Sequence, residues 1–334
     1  MNGGGLCARP ALMGYIALSV LRPQTQSPET DVLKYRLISG SFLVALVLLS
    51  VFWETPAATV IFVCFGCFCV GVALTEFLGM TAAAGYPGNR PVLVLGGLLY
   101  VLAVAGEARG MVTQGLPMFV LAILIVALFL AAFREPDLRQ ALMNVIVSLG
   151  GFLYLAWTLA FLVRIYCFAP GTRAGPFLVL FVILVTKFND IGGYIVGNLS
   201  NRLIGSNHKM TPRLSPKKSW EGFVGSVVFS VGIACLLLHW FGDRMQPHDQ
   251  PLITMPIAVC IGVAAAILGV WGDLAESVIK RGAGVKDSGA IVPGIGGLLD
   301  VLDSLVFVAP LFYWYITFAK AQSIFTPVAE QLTN

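Results

Sequence analysis

The chain has 334 residues, of which 57% are hydrophobic and 11% are charged, and its formal net charge at pH 7 is +4. A soluble globular domain carries about 25% charged residues, and the mean hydropathy of this chain is +0.86. This composition excludes an ordinary soluble globular protein and indicates a helical bundle embedded in a bilayer. The small net charge adds little, and no nucleic-acid partner is expected.

Nine apolar segments approach or reach the length of about 20 helical residues that crosses the hydrocarbon core of a bilayer. They are 37–53, 56–80, 91–106, 116–133, 141–163, 176–198, 220–241, 255–272 and 301–319. We therefore expect an all-α polytopic membrane protein of about nine transmembrane helices. Its four expected parts are an N-terminal tail 1–36, N-terminal spans in 37–170, a catalytic region in 171–319 and a C-terminal tail 320–334.

The distribution of basic residues predicts the orientation of the chain, because Lys and Arg concentrate in cytoplasmic loops. With the N-terminus placed inside, fifteen of the 21 Lys and Arg residues lie in inner segments and four lie in outer segments. The other two, Arg164 and Lys187, fall within or at the edge of spans. The count predicts an N-in, C-out chain.

Two long loops, 199–219 and 273–300, then face the cytoplasm and hold eight of the 21 basic residues. Positive-inside anchoring, with attraction for anionic head groups, explains such lysines. It does not explain the acids gathered on the same side. These acids are Asp190, Asp273, Asp287, Asp300 and Asp303.

Three of these acids share a chemistry. Asp300 and Asp303 lie three residues apart at the start of a predicted helix, so their side chains share one face, and Asp273 ends the preceding span. Converging carboxylates repel each other unless a cation lies between them, and Mg²⁺ takes carboxylate oxygens together with substrate phosphates. Lysines and glycine-rich backbone bind phosphate. The combination predicts phosphoryl or nucleotidyl transfer, and a helix N-cap is the alternative for Asp300.

The stretch SVIKRGAGVKDSGAIVPGIGGLLDVLDS, residues 277–304, resembles the C-terminal signature of the phosphatidate cytidylyltransferases, also called CDP-diacylglycerol synthases. That signature has Lys-Arg, four residues and Lys-Asp, followed by Pro-Gly-His-Gly-Gly and a pair of aspartates. The upstream stretches NDIGGYIVG and HKMTPRLSPKKSWEGFVG are similar to two further segments of that family. The resemblance covers about residues 185–310.

The resemblance implies transfer of a cytidylyl group from CTP to phosphatidic acid, giving CDP-diacylglycerol and pyrophosphate. It also implies Mg²⁺, with a second cation such as K⁺ left open, and the metal ligands Asp273, Asp300 and Asp303. The implied catalytic residues are Asp273, Asp300, Asp303, Lys280 and Asp287. The implied substrate-binding residues are Asp190, Ser215, Lys217, Lys218, Ser219, Arg281 and Lys286.

An enzyme of this family is expected in the inner (plasma) membrane among membrane lipids, with its active site facing the cytoplasm, and a homodimer is compatible with that expectation. Several candidates have plainer explanations. Asp190 can form an ion pair with Lys187, three residues earlier on the same helix face, and Asp287 can pair with Lys286. Ser219 can cap the next span.

The chain departs from the signature at two positions. Ile295 stands where the family has His, and Val301 stands where it has Arg after the first aspartate of the last pair. Both changes remove a polar group beside the expected metal site. They favour one alternative class, a diverged paralogue that binds lipid or nucleotide without turnover.

A membrane transporter is the other alternative, because charged residues within spans commonly mark ion or substrate paths. Its candidate residues are Glu76, Arg164, Lys187 and Asp190. The sequence shows no internal repeat, and its acids gather at one face of the membrane. Transporters commonly place such groups near the midplane between repeated halves. The sequence therefore favours the enzyme.

Overall fold

The computed structural model describes residues 29–247, 252–289, 291 and 296–333. A π-helical turn, Phe152–Trp157, joins the helices Leu138–Gly151 and Thr158–Tyr166 into one continuous rod. The elements in chain order are α1 Glu29–Phe52, α2 Pro56–Ala83, α3 Arg90–Ala108, α4 Leu116–Ala132, α5 Leu138–Gly151, α6 Thr158–Tyr166, α7 Ala174–Ile204, β1 Lys209–Thr211, β2 Ser215–Ser219, α8 Trp220–Met245, α9 Met255–Gly282 and α10 Leu299–Thr333.

The helices confirm an all-helical, multi-pass membrane protein. Within the described residues, seven helical stretches are long and apolar enough to cross a bilayer. Two shorter apolar helices, Gly40–Phe52 and Leu116–Ala132, coincide with the first and fourth predicted spans. Every one of the nine predicted segments is therefore helical. The division of the chain into four parts stays a prediction.

Two helix ends and one loop that border the site differ from the prediction. Helix α7 continues to Ile204 and α9 continues to Gly282, whereas an apolar criterion ends these spans at residues 198 and 272. Charged side chains lower hydropathy without opposing the helix, since Lys, Arg and Glu are good helix formers. The expected loop 199–219 contains an antiparallel hairpin, with Lys209 opposite Ser219. Asp273, Glu276 and Lys280 thus lie on α9 rather than in a loop.

Small residues let α7 and α8 cross at close range. A Cβ added at Gly192 would lie 2.6 Å from the carbonyl oxygen of Gly225, and one added at Gly222 would lie 2.9 Å from the carbonyl oxygen of Gly193. Ser226 donates from its hydroxyl to the carbonyl oxygen of Asn189 at 2.9 Å. Small residues at a helix interface permit such backbone approach in membranes. The crossing places the hairpin and the start of α8 beside the middle of α7.

Glycines also bring α9 close to α10 and to α7. A Cβ added at Gly272 would collide with the carbonyl oxygen of Asp303, and one added at Gly269 would collide with the side-chain amide of Asn189. The core of the bundle includes Phe152, Phe177 and Phe181, all 0% exposed. Asp273, one residue after Gly272, is thereby placed next to the first turns of α10.

Candidate active site

A polar cavity of about 450 Å³ opens beside the middle of α7 and the last turns of α9, where α8 and α10 begin. The hairpin contributes Met210 and the β2 residues to its wall. Nine of the twelve site residues predicted from the sequence line it: Asp190, Ser215, Lys217, Lys218, Ser219, Asp273, Lys280, Asp300 and Asp303. The fold thus gathers residues that lie more than a hundred positions apart in the chain.

Three carboxylates in this cavity form a cluster that could hold a metal ion. Asp273, Glu276 and Asp303 each offer an oxygen, and these oxygens all lie within 4.8 Å of one another. Asp273 and Glu276 share a face because they lie three residues apart on α9. Glu276 and Asp303 are 1% and 5% exposed. Buried like charges at this separation repel strongly, so a cation is the natural complement of the cluster.

Glu276 is the member of the cluster that sequence reasoning missed. Neither of its side-chain oxygens makes a hydrogen bond within the described part of the chain, although Lys280 Nζ lies 3.2 Å from its Oε2. A buried carboxylate without hydrogen bonds carries a desolvation cost that a metal ion offsets. The available signal was its spacing from Asp273, which becomes visible once α9 is extended beyond residue 272.

Asp300 has a different environment. Its Oδ1 accepts a hydrogen bond from Lys280 Nζ at 2.8 Å, and the same nitrogen contacts Glu276. Asp300 stands in the first turn of α10, but the side chain that accepts hydrogen bonds from the N–H groups at the start of that helix is Glu76. The alternative of Asp300 as a simple helix cap is therefore not what the structure shows. Its role as a metal ligand stays a prediction.

Lysines and a serine border the acids on the hairpin side. Lys218 Nζ lies 2.7 Å from Asp273 Oδ2 and donates to the carbonyl oxygen of Val270 at 3.0 Å. Lys217 is exposed at the cavity wall. The buried hydroxyl of Ser219 accepts from the backbone N–H of Gly222 at 3.1 Å, so Ser219 is the N-cap of α8. Its position in the cavity wall keeps a second role for Ser219 open.

The ion pair proposed as the plainer explanation for Asp190 is present, with Lys187 Nζ 3.2 Å from Asp190 Oδ2. Asp190 nevertheless lines the cavity. Arg281, Lys286 and Asp287 are exposed and do not line it. Within the described ranges, no ion pair joins Asp287 to Lys286. Of the two departures from the signature, Ile295 lies outside the described residues, and Val301 lines a separate apolar cavity.

Glu76, from the first half of the chain, fixes the start of α10. Its carboxylate is 3% exposed and accepts from the backbone N–H groups of Leu298 at 3.1 Å and Leu299 at 2.9 Å. These are donors that a helix N-terminus leaves unpaired. A Cβ added at Gly289 would lie 2.8 Å from Glu76 Cγ. Glu76 thus holds both the loop before α10 and the turn that carries Asp300.

We expect Glu76→Gln to destabilise the protein and to lower the activity of the site. The amide keeps the shape of the side chain but loses the charge that binds two N–H groups, and hydrogen bonds to charged groups contribute about 1.5–3 kcal/mol. The measurement is thermal unfolding in detergent, with Glu135→Gln, in the loop after α4, as the matched control. Equal unfolding temperatures for the two variants would contradict the capping role.

The four residues considered for a transporter all have polar partners within the helical bundle. Arg164 is paired with Glu107 at 2.9 Å, Lys187 with Asp190, and Glu76 caps α10. Each contact gives the charge a structural explanation within the bundle. These residues therefore give no support to an ion path.

The fold and the cavity define a multi-pass membrane protein with acids and lysines gathered at one end of its helical bundle. The chain belongs to the cytidylyltransferase family, whose model matches residues 34–319. This finding confirms the family resemblance seen in the sequence.

Individual relatives match over part of their length. The chain is 36% identical over 144 residues to the phosphatidate cytidylyltransferase of Haemophilus influenzae, covering 43% of this chain and 47% of that protein. It is 37% identical over 179 residues to the phosphatidate cytidylyltransferase of Staphylococcus saprophyticus, covering 54% and 59%. It is 40% identical over 146 residues to the uncharacterized protein YnbB of Escherichia coli, covering 44% of each. The chain thus spans about half the length of the curated relatives it matches.

Proposed function

We propose that this protein transfers the cytidylyl group of CTP to phosphatidic acid and so makes CDP-diacylglycerol for phospholipid synthesis. An oxygen of the lipid phosphate monoester forms a bond to the α-phosphorus of CTP. The bond from that phosphorus to the bridging oxygen of the β-phosphate breaks, and pyrophosphate leaves. The observation that carries the proposal is the group of three clustered carboxylates and three lysines in one cavity of a cytidylyltransferase-family chain.

The donor set of the cavity suits Mg²⁺. Asp273, Glu276 and Asp303 offer hard oxygen ligands, as this ion requires. The buried carboxylate of Glu276 has an ion pair with Lys280 but no hydrogen bond among the described residues, so it is available to such a cation. When bound there, Mg²⁺ would neutralise charge on the reacting phosphates. Asp300 would hold the ammonium group of Lys280 in place, and it remains a candidate ligand. A second cation such as K⁺ belongs to the same proposal.

The lysines of the cavity position the phosphates. Lys217 and Lys218 come from β2, and Lys280 comes from α9, so they reach the cavity from two sides. Arg281 and Lys286 are exposed near the end of α9, where they can attract an anionic substrate from solution. Ser215 can donate to a phosphate oxygen, and Asp190 and Asp287 are the candidates for contacts with the nucleotide. Positioning and charge neutralisation supply most of the rate in such transfers.

The proposed topology has nine membrane crossings, with the N-terminus in the cytoplasm and the C-terminus outside. It adds the two shorter apolar helices to the seven long ones. The Lys and Arg count supports it, and so does the need of the cavity for CTP, which is a cytoplasmic nucleotide. The proposed location is the inner (plasma) membrane among anionic lipids, and a homodimer is compatible with it.

Cysteine labelling tests this topology. In a variant with the seven native cysteines replaced, Ser206→Cys before the hairpin should react with an impermeant maleimide only after the inner face is opened. Thr113→Cys, between α3 and α4, should react in intact cells. Both positions are exposed, so both thiols are accessible to the reagent. The opposite labelling pattern would reverse the orientation.

A transfer assay tests the proposed reaction itself. Purified protein in detergent receives Mg²⁺, phosphatidic acid and CTP labelled in the cytidine, and the readout is label that extracts with lipid. We expect label in the lipid phase and an equal amount of pyrophosphate. Binding of CTP without labelled lipid would instead support a diverged paralogue, the second candidate, which Val301 favours.

A further inference from the structure

Lys187 carries the only charge in the wall of a second cavity, among the described residues that line it. This apolar cavity of about 360 Å³ lies between α1, α2, α3, α6, α7 and α10. Its remaining lining side chains are aliphatic, aromatic, glycine or cysteine. A lysine is retained in such surroundings only where its ammonium group has polar partners. The contacts of Lys187 therefore indicate what it does.

The ammonium group of Lys187 points toward the catalytic cavity. Its Nζ donates to Asp190 Oδ2 at 3.2 Å and to Ser304 Oγ at 3.1 Å. Ser304 is fully buried, and its backbone N–H donates to Asp303 Oδ1 at 2.6 Å. Lys187 thus contacts one carboxylate of the cavity directly and is joined to a second one through Ser304. Its position ties the geometry of two acids to one cation.

Val301 lines the same apolar cavity as Lys187. It lies three residues before Ser304 on α10, so the two share a helix face. The family signature has an arginine at this position, and a long cationic side chain there would point into the cavity that Lys187 also lines. The chain therefore lacks a cation at position 301. It has one at position 187, where Lys187 donates to the hydroxyl of Ser304.

We propose that Lys187 supplies the positive charge that the family signature places at position 301, and that it holds Asp190 and Ser304, and through Ser304 Asp303, in register for the reaction. Lys187 is a positioning residue, since it acts through the contacts of its ammonium group with Asp190 and Ser304. The proposal rests on the proposed function for its activity readout. Val301 leaves the cavity open for the aliphatic stem of Lys187.

A charge transplant tests this proposal. We expect Lys187→Met to lower kcat for cytidylyl transfer on the order of tenfold or more, with a smaller change in KM for CTP, because an interaction that orients catalytic groups acts on turnover. Lys187→Arg should keep most of the activity. Adding Val301→Arg to Lys187→Met should recover most of the lost kcat. The control is Arg202→Met, an exposed cation on the same helix, which should match the wild type.

A double-mutant cycle in thermal unfolding gives a second readout that does not need activity. Val301→Arg should lower the unfolding temperature more in the wild type, where it meets Lys187, than in Lys187→Met, because residues that share partners are energetically coupled. Equal shifts in both backgrounds, or a double variant no more active than Lys187→Met, would overturn the proposal. A wild type that makes no labelled lipid would refute the proposed function alone, since the unfolding cycle still decides the role of Lys187.

Discussion

Asp303→Asn should lower cytidylyl transfer by on the order of 10²-fold or more. Asp303 is 5% exposed and belongs to the three-carboxylate cluster, and asparagine keeps its shape while removing a ligand charge. A bound metal contributes several kcal/mol to such reactions, and about 1.36 kcal/mol corresponds to a tenfold change in rate. The protein should still fold, because removing one of three crowded charges relieves repulsion when no cation is bound.

The measurement for Asp303 pairs initial rates at saturating CTP with Mn²⁺ binding followed by electron paramagnetic resonance. Asp243→Asn, an exposed acid near the end of α8, is the matched control and should change neither quantity. A near-normal rate for Asp303→Asn would show that the cluster is not the metal site.

The second large effect is expected at Glu276, and it separates two ligand sets. Glu276→Gln should weaken Mn²⁺ binding at least on the order of tenfold and lower turnover on the order of 10²-fold. Asp300→Asn should also reduce turnover, because Lys280 loses its partner at 2.8 Å. It should change Mn²⁺ affinity less, since Asp300 does not belong to the three-carboxylate cluster whose oxygens lie within 4.8 Å of one another.

The comparison of these two variants decides between the ligands predicted from sequence and those grouped in the structure. If Asp300→Asn weakens Mn²⁺ binding as much as Glu276→Gln does, then Asp300 is a ligand and Lys280 moves away when the metal binds. If neither variant alters Mn²⁺ binding, the acids of α9 and α10 serve the fold rather than a metal.

Hydropathy was sufficient to predict the helical segments, and the spacing of the acids together with the family resemblance predicted most of the cavity residues. All nine apolar segments are helical, and Lys217 and Lys218 of β2 line the same cavity as the acids. The signals were strong because each is local, either a run of apolar side chains or a fixed spacing of charges. Local signals also give the shared face of Asp300 and Asp303.

The features that sequence reasoning missed depend on contacts between distant segments or on helices that continue past the apolar run. Glu276 was hidden because hydropathy ended α9 at residue 272, before the charged turn that carries it. The cap from Glu76 joins positions 222 and 223 residues apart, and no spacing rule connects them. The hairpin is too short and too polar for an alternating apolar pattern to reveal it.

The contact between Glu76 and α10 imposes an order on the assembly of the protein during synthesis. Chains emerge and fold from the N-terminus, so α2 is made long before the two N–H groups at residues 298 and 299 exist. Until α10 arrives, Glu76 lacks the partners that it has in the finished bundle, and a carboxylate in apolar surroundings is costly without them. The last helix therefore supplies the partners of Glu76 and also completes the wall of the polar cavity. A chain that stops before α10 retains a Glu76 carboxylate that lacks these two N–H donors, and this distinguishes it from the finished protein.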